Sequence, residues 1–136
     1  MSSREEQLAG GRLLVAVSDG VVRLLRDFAG KGPTTCKAYW AGPDILVVML
    51  SGGYTTAEQT LFAGGHGQSV RESRMKLQDT LAARLSATIE EVTGRNVIAF
   101  MNASHQDPDL SAELFVLEPQ DPDEEPLSEA ETPGAS

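Results

Sequence analysis

The side chains of this sequence equipped for chemistry are two histidines, His66 and His105, one cysteine, Cys36, and a few charged residues beside glycine-rich joints. A zinc site would need a close Cys pair or two His at helical spacing. His66, His105, Cys36 and Asp107 offer neither, so no metal and no cofactor is expected. Ser104, His105 and Asp107 are nearly adjacent, whereas a Ser-His-Asp relay is defined by convergence in three dimensions. No Gly-x-Ser-x-Gly nucleophile turn accompanies them. His105 with Asp107 therefore reads first as a polar loop and second as an acid-base pair. Cys36 has no sequence partner to activate its thiol, and a lone cysteine excludes an internal disulfide framework.

Anion or partner recognition has two candidate places. Gly30-Lys31-Gly32-Pro33 resembles a phosphate-binding turn only in composition. A P-loop lysine is followed by Ser or Thr and opens a helix, whereas this turn follows one and Pro33 lacks an N–H. Helix termination is the first reading, and a contact from Lys31 to an anion or partner is compatible with it. Gly64-Gly65-His66-Gly67 is better placed, just ahead of a long helix whose first N–H groups attract negative charge. Arg71 and Arg74 supplement such a site, or else they are surface arginines beside a flexible joint.

These residues need a scaffold. A first helix starts within Ser3 to Gln7, where Ser3 and Glu6 form a capping box. Leu14, Val17, Val21, Leu24, Leu25 and Phe28 form one stripe along it. Gly10, Gly11 and Gly20 weaken it by about 1 kcal/mol each relative to Ala, so a bend or a later start is expected. Gly30 ends it. Thr35 to Trp40 and Ile45 to Leu50 form a hairpin about Ala41-Gly42-Pro43-Asp44. The second run lacks polar alternation and is expected to be central, with both faces covered. After the Ser51-Gly52-Gly53 turn, Thr55 or Thr56 caps a short helix, and a longer one runs from Gln68 to Thr93, stopped by Gly94. Val70, Leu77, Leu81, Leu85, Ile89 and Val92 are its apolar face. Val97 to Met101 and Leu110 to Leu117 are the last strands, joined by a loop from Asn102 to Asp109. The fold class is α+β in the order α-β-β-α-α-β-β: two layers, helices on a largely antiparallel four-stranded sheet.

The formal charge is -9, with 20 acidic and 11 basic residues, yet up to Leu117 the balance is 13 to 11. The acidity is concentrated from Glu118 onward, where four of the seven prolines also fall. One domain over residues 1–118 and a disordered acidic tail over 119–136 are expected. The net charge argues against nucleic acid as a partner. The start lacks the basic and apolar parts of a secretory signal, and the longest apolar runs are too short to span a bilayer. A cytoplasmic location is expected. The helical stripes and the central strand exceed what one small body covers, so homodimerisation through a helix face or a sheet edge is expected.

Gly30-Lys31-Gly32-Pro33, Asp44, Leu50-x-Gly52-x-Tyr54-Thr55-x-x-Glu58, Gly67-x-x-Val70-x-x-x-Arg74 and Ile89-Glu90-x-x-Thr93-Gly94-x-x-Val97, in this order and at these intervals, resemble the DUF2294 family, also called MpsC-like. The resemblance covers about Leu8 to Leu117. It implies a part in a cation-translocating, membrane-potential-generating system linked in some bacteria to inorganic carbon supply, and it assigns no catalytic residue. With no membrane span, the chain is expected to be an accessory or regulatory interaction module that contacts a membrane protein or another cytosolic partner, the former holding it at the inner face of the membrane. The alternative is a small enzyme or ligand sensor taking a small anion near the glycine-rich joints. Lys31, His66, Arg71, Arg74, His105 and Asp107 are the candidate contacts, and Gly30, Gly32, Pro33, Gly52 and Gly94 the structural turns.

Overall fold

Seven elements follow one another in the expected order in the computed structural model, which describes residues 3–120 and their side chains from residue 10 onward. The side chains of the proposed Ser3 capping box, and the proposed tail apart from its first two positions, lie outside what is described. Helix α1, Ser3–Ala29, runs unbroken through Gly10, Gly11 and Gly20. The third of these is a packing device. A Cβ at Gly20 would stand 2.8 Å from Thr88 Cγ2 of α3, Gly67–Thr93, so the missing side chain lets the two long helices approach. Gly30, at φ 81°, closes α1 with its N–H donating to Arg26 O. Gly94, at φ 70°, closes α3 with its N–H donating to Glu90 O.

Strands β1, Thr35–Trp40, β2, Ile45–Ser51, β3, Val97–His105, and β4, Leu110–Leu117, form one sheet in the order β1-β2-β4-β3, antiparallel throughout. Helices α1 and α3 cover one face. Val17, Val21, Leu81, Leu85 and Ile89 from the helices pack on Leu46, Val48, Phe115 and Leu117 from the central strands. Both helical stripes are used as their spacing requires, although Phe28 at the end of the first is exposed under the guanidinium of Arg84. Each large aliphatic side chain buried here contributes about 1.5 to 3 kcal/mol.

Two expectations are corrected. Strand β3 continues to His105, paired with Leu110, so a turn at residues 106–109 replaces the longer loop. Polar side chains at Asn102 and Ser104 hid this, because ladder hydrogen bonds come from the backbone whatever the side chain. Strand β2 is interior in the sheet but covered on one face only. Leu46, Val48 and Leu50 are buried, while Met49 on the opposite face is 37% exposed.

Candidate functional site

Helix α2, Thr56–Ala63, is short and buries no residue of its own, so it depends on its caps and on α3. Thr55 Oγ1 accepts from the Glu58 N–H at 3.1 Å, and Glu58 Oε1 accepts from the Thr55 N–H at 2.9 Å. Glu58 also receives both prongs of Arg74 from α3, Nε at 3.0 Å and Nη2 at 3.1 Å. The same guanidinium lies over the ring of Tyr54, 3.8 Å from its centroid, and that ring meets Phe62 edge-on. Burial opposes ionisation of Glu58, but the Arg74 guanidinium and the Thr55 N–H outweigh it and hold its pKa below the usual value. Glu58 therefore caps a helix, pairs a half-buried arginine and ties α2 to α3.

This clamp forms one wall of a cleft of about 150 Å³ where two glycine-rich turns meet. Gly52 and Gly53, both at positive φ, face the turn ending at Pro33. A Cβ at Gly52 would collide with Thr34 Oγ1, and one at Gly53 would lie 3.3 Å from Pro33 Cα. Lys31 crosses the mouth, its Nζ donating to Tyr54 O at 2.9 Å. Leu25, Leu50 and Leu77 supply the apolar floor, and Gln78 and Ser111 the polar rear.

Behind that rear wall stands Glu113, fully buried on β4 with no donor to either oxygen. Burial pushes its pKa up to about 7, against a smaller opposing contribution from Gln78. Gln78 Oε1 and Asp109 Oδ2 are also buried without donors. Burial, with Glu58 adding to it and Arg74 opposing, raises the pKa of Asp109. The surroundings of Arg74 thus hold more acceptors than donors, an environment suited to protons or to a ligand bearing N–H or O–H groups.

Lys31 and Arg74 are brought to one cleft, together with Pro33 from one turn and Gly52 from the other. Arg71 and His66 are exposed near the start of α3, and the His66 side chain makes no cap there. His105 and Asp107 are exposed at the β3–β4 turn, where His105 Nδ1–H donates to Pro108 O at 2.8 Å. Gly32 has an ordinary φ and packs against the stem of Arg26. Among the described residues no group of three or more His, Cys, Asp or Glu side chains could hold a metal ion.

Sequence reasoning missed Glu113, Gln78, Asp109 and Arg95. The alternation pointed the other way for Glu113: Leu110, Ala112, Leu114 and Val116 are apolar throughout, whereas its own row mixes Ser111 with Phe115 and Leu117. Arg95 has no local signal, because its partners come from distant turns. It donates to Pro43 O, Asp44 Oδ1 and Glu118 O at 2.8, 2.5 and 2.9 Å, joining the β1–β2 turn to the ends of α3 and β4.

A family model described as Na+-translocating membrane potential-generating system (MpsC) matches residues 10–119. No curated protein and no solved structure matches the chain.

Proposed function

This chain belongs to the MpsC family, and we propose that it serves a membrane cation-translocating system as an accessory or regulatory protein-interaction module. The family match across nearly all the described residues carries this reading. No helix among those residues is long and apolar enough to cross a membrane, which favours a place beside an ion path built by another chain. Arg74 is committed to Glu58 and Tyr54, so the exposed Arg71 and the mouth residue Lys31 are the basic groups to orient a partner. Such charges set encounter and register more than affinity.

Affinity capture from the native membrane fraction tests the proposal. The wild-type chain is expected to retain one integral membrane protein reproducibly, and Lys31→Glu/Arg71→Glu to retain several-fold less with its circular dichroism unchanged. Capture of none by either chain rejects the interaction module. A second reading, a small-anion sensor, rests on Lys31 alone at the mouth of the cleft, since Arg74 is committed to Glu58 and the unpaired acceptors nearby oppose a bound anion. Saturable binding of inorganic phosphate or bicarbonate by the wild type, lost in Lys31→Ala, without any captured protein, would favour that reading instead.

A further inference from the structure

The face of the sheet turned away from the helices carries side chains that water does not ordinarily receive. The register aligns Tyr39, Val47, Leu114 and Met101 in one row across all four strands. Lys37, Met49, Ala112 and Ala103 form the neighbouring row. Tyr39 is 45% exposed, Met49 37% and Met101 53%. Lys37 is the one formally charged residue that the register places on this face. An antiparallel sheet with a solvated face normally alternates apolar and polar residues; here the second face is largely apolar too, its polar side chains being Lys37, whose Nζ lies over the Tyr39 ring, and Thr35, Ser51 and His105 in one end row.

We propose that the open sheet face is the interface of a symmetric dimer, covered by a second copy of this chain. The face is self-complementary. A two-fold axis between the sheets, parallel to the strands and above the β2–β4 seam, brings β1 of one copy over β3 of the other. Tyr39 then meets the partner's Met101, a favourable ring and thioether contact, and Val47 meets the partner's Leu114. Lys37 meets the partner's Ala103, so the two ammonium groups stay apart. Four strands at ~4.8 Å and seven residues at ~3.4 Å give a footprint of roughly 450 Å² per copy. Two copies cover roughly 900 Å² before side-chain relief is counted, which brings the contact to the ~1,000 Å² of a specific interface. The chain's own C-terminal segment is a poor cover: residues 121–136 contain six acidic residues and one large aliphatic side chain, Leu127. This interface replaces the helix face or sheet edge expected from sequence, and it is independent of the membrane partner proposed above.

Sedimentation velocity of the full chain over a hundredfold range of concentration is the test. The wild type is expected to approach twice the 14.5 kDa chain mass as concentration rises. Val47→Glu/Met101→Glu, which puts like charges into a dry contact, is expected to dissociate roughly a hundredfold more readily. Should that variant fail to fold, Tyr39→Cys/Met101→Cys in a Cys36→Ser background provides a second readout, with a short bis-maleimide expected to join two chains. A wild type that is monomeric throughout overturns the proposal. So does a folded Val47→Glu/Met101→Glu chain that dimerises as well as the wild type, or a dimer in which the paired cysteines do not cross-link. The affinity capture above fails or succeeds separately, since it reads a different protein.

Discussion

Glu113 is the residue at which the fold stores an electrostatic cost. Below pH 4.5, its ordinary value, folded and unfolded chains both carry the proton and the cost is absent. Between pH 4.5 and about 7 the unfolded chain ionises while the folded chain keeps its proton. The unfolded state then binds fewer protons, so stability falls with rising pH through this window and levels off above it. The full difference amounts to roughly 3 kcal/mol. Once protonated, Glu113 has a hydroxyl to offer Gln78 Oε1, an acceptor otherwise without a donor. Glu113→Gln keeps the volume and supplies N–H donors without an ionisation cost. Urea denaturation is expected to show the variant about 1 to 3 kcal/mol more stable than wild type at pH 8, with the gain shrinking towards pH 5. A gain of equal size at both pH values would contradict the buried-ionisation account. Cys36 shows the same physics in milder form: burial, partly offset by the Ser18 side chain, pushes its thiol up to about 11, so it is a weak nucleophile at neutral pH.

At the scale of elements, the glycines of α1 separate two effects that share one residue type. Gly10 has nothing within 4 Å of where a Cβ would stand, whereas Gly20 abuts Thr88. Gly10→Ala is expected to stabilise by about 0.5 to 1 kcal/mol through helix propensity and unfolded-state entropy. Gly20→Ala is expected to destabilise by about 1 to 3 kcal/mol, because α1 and α3 must move apart or Thr88 must turn away. Thermal or chemical denaturation of the two variants decides the matter, and a shift of the same sign in both would remove the close-crossing explanation. The caps of α2 belong to this scale as well. A short helix without a buried residue persists here because Thr55 and Glu58 satisfy its first donors and Arg74 anchors it to α3.

Across the whole molecule, the sheet is a shared wall with α1 and α3 on one side and, in the dimer, a second sheet on the other. Folding and association are then coupled, and the thermal midpoint should rise by a few degrees for each tenfold increase in chain concentration. Scanning calorimetry measures this directly; a midpoint independent of concentration would mean that the open face contributes nothing to stability. The contacts of Arg95 act at the same scale, drawing together chain segments that lie about fifty residues apart in sequence.

Much of this architecture was legible from local pattern. The three- and four-residue spacing of Val17, Val21, Leu81, Leu85 and Ile89 defined the buried sides of both long helices. Gly30 and Gly94 marked their ends, and Thr55 or Thr56 announced the start of α2, the structure selecting Thr55 with Glu58, because periodicity and capping depend on residues within a few positions of one another. The MpsC-like order of motifs was equally readable, since it is a property of spacing. What lay beyond local pattern was the use made of each face and charge. The apolar run at Ile45 to Leu50 established a strand with two apolar faces, but only the stacking of the helices on one side decided which face is left for a partner. Arg74 and Arg71 are indistinguishable as letters; the fold commits one to Glu58 and leaves the other exposed. Glu113 became a buried acid only when β2 and β3 flanked β4 and the helices closed above it. Its pKa comes from a surrounding assembled from segments far apart in the chain, and such long-range juxtaposition is decided by tertiary packing alone.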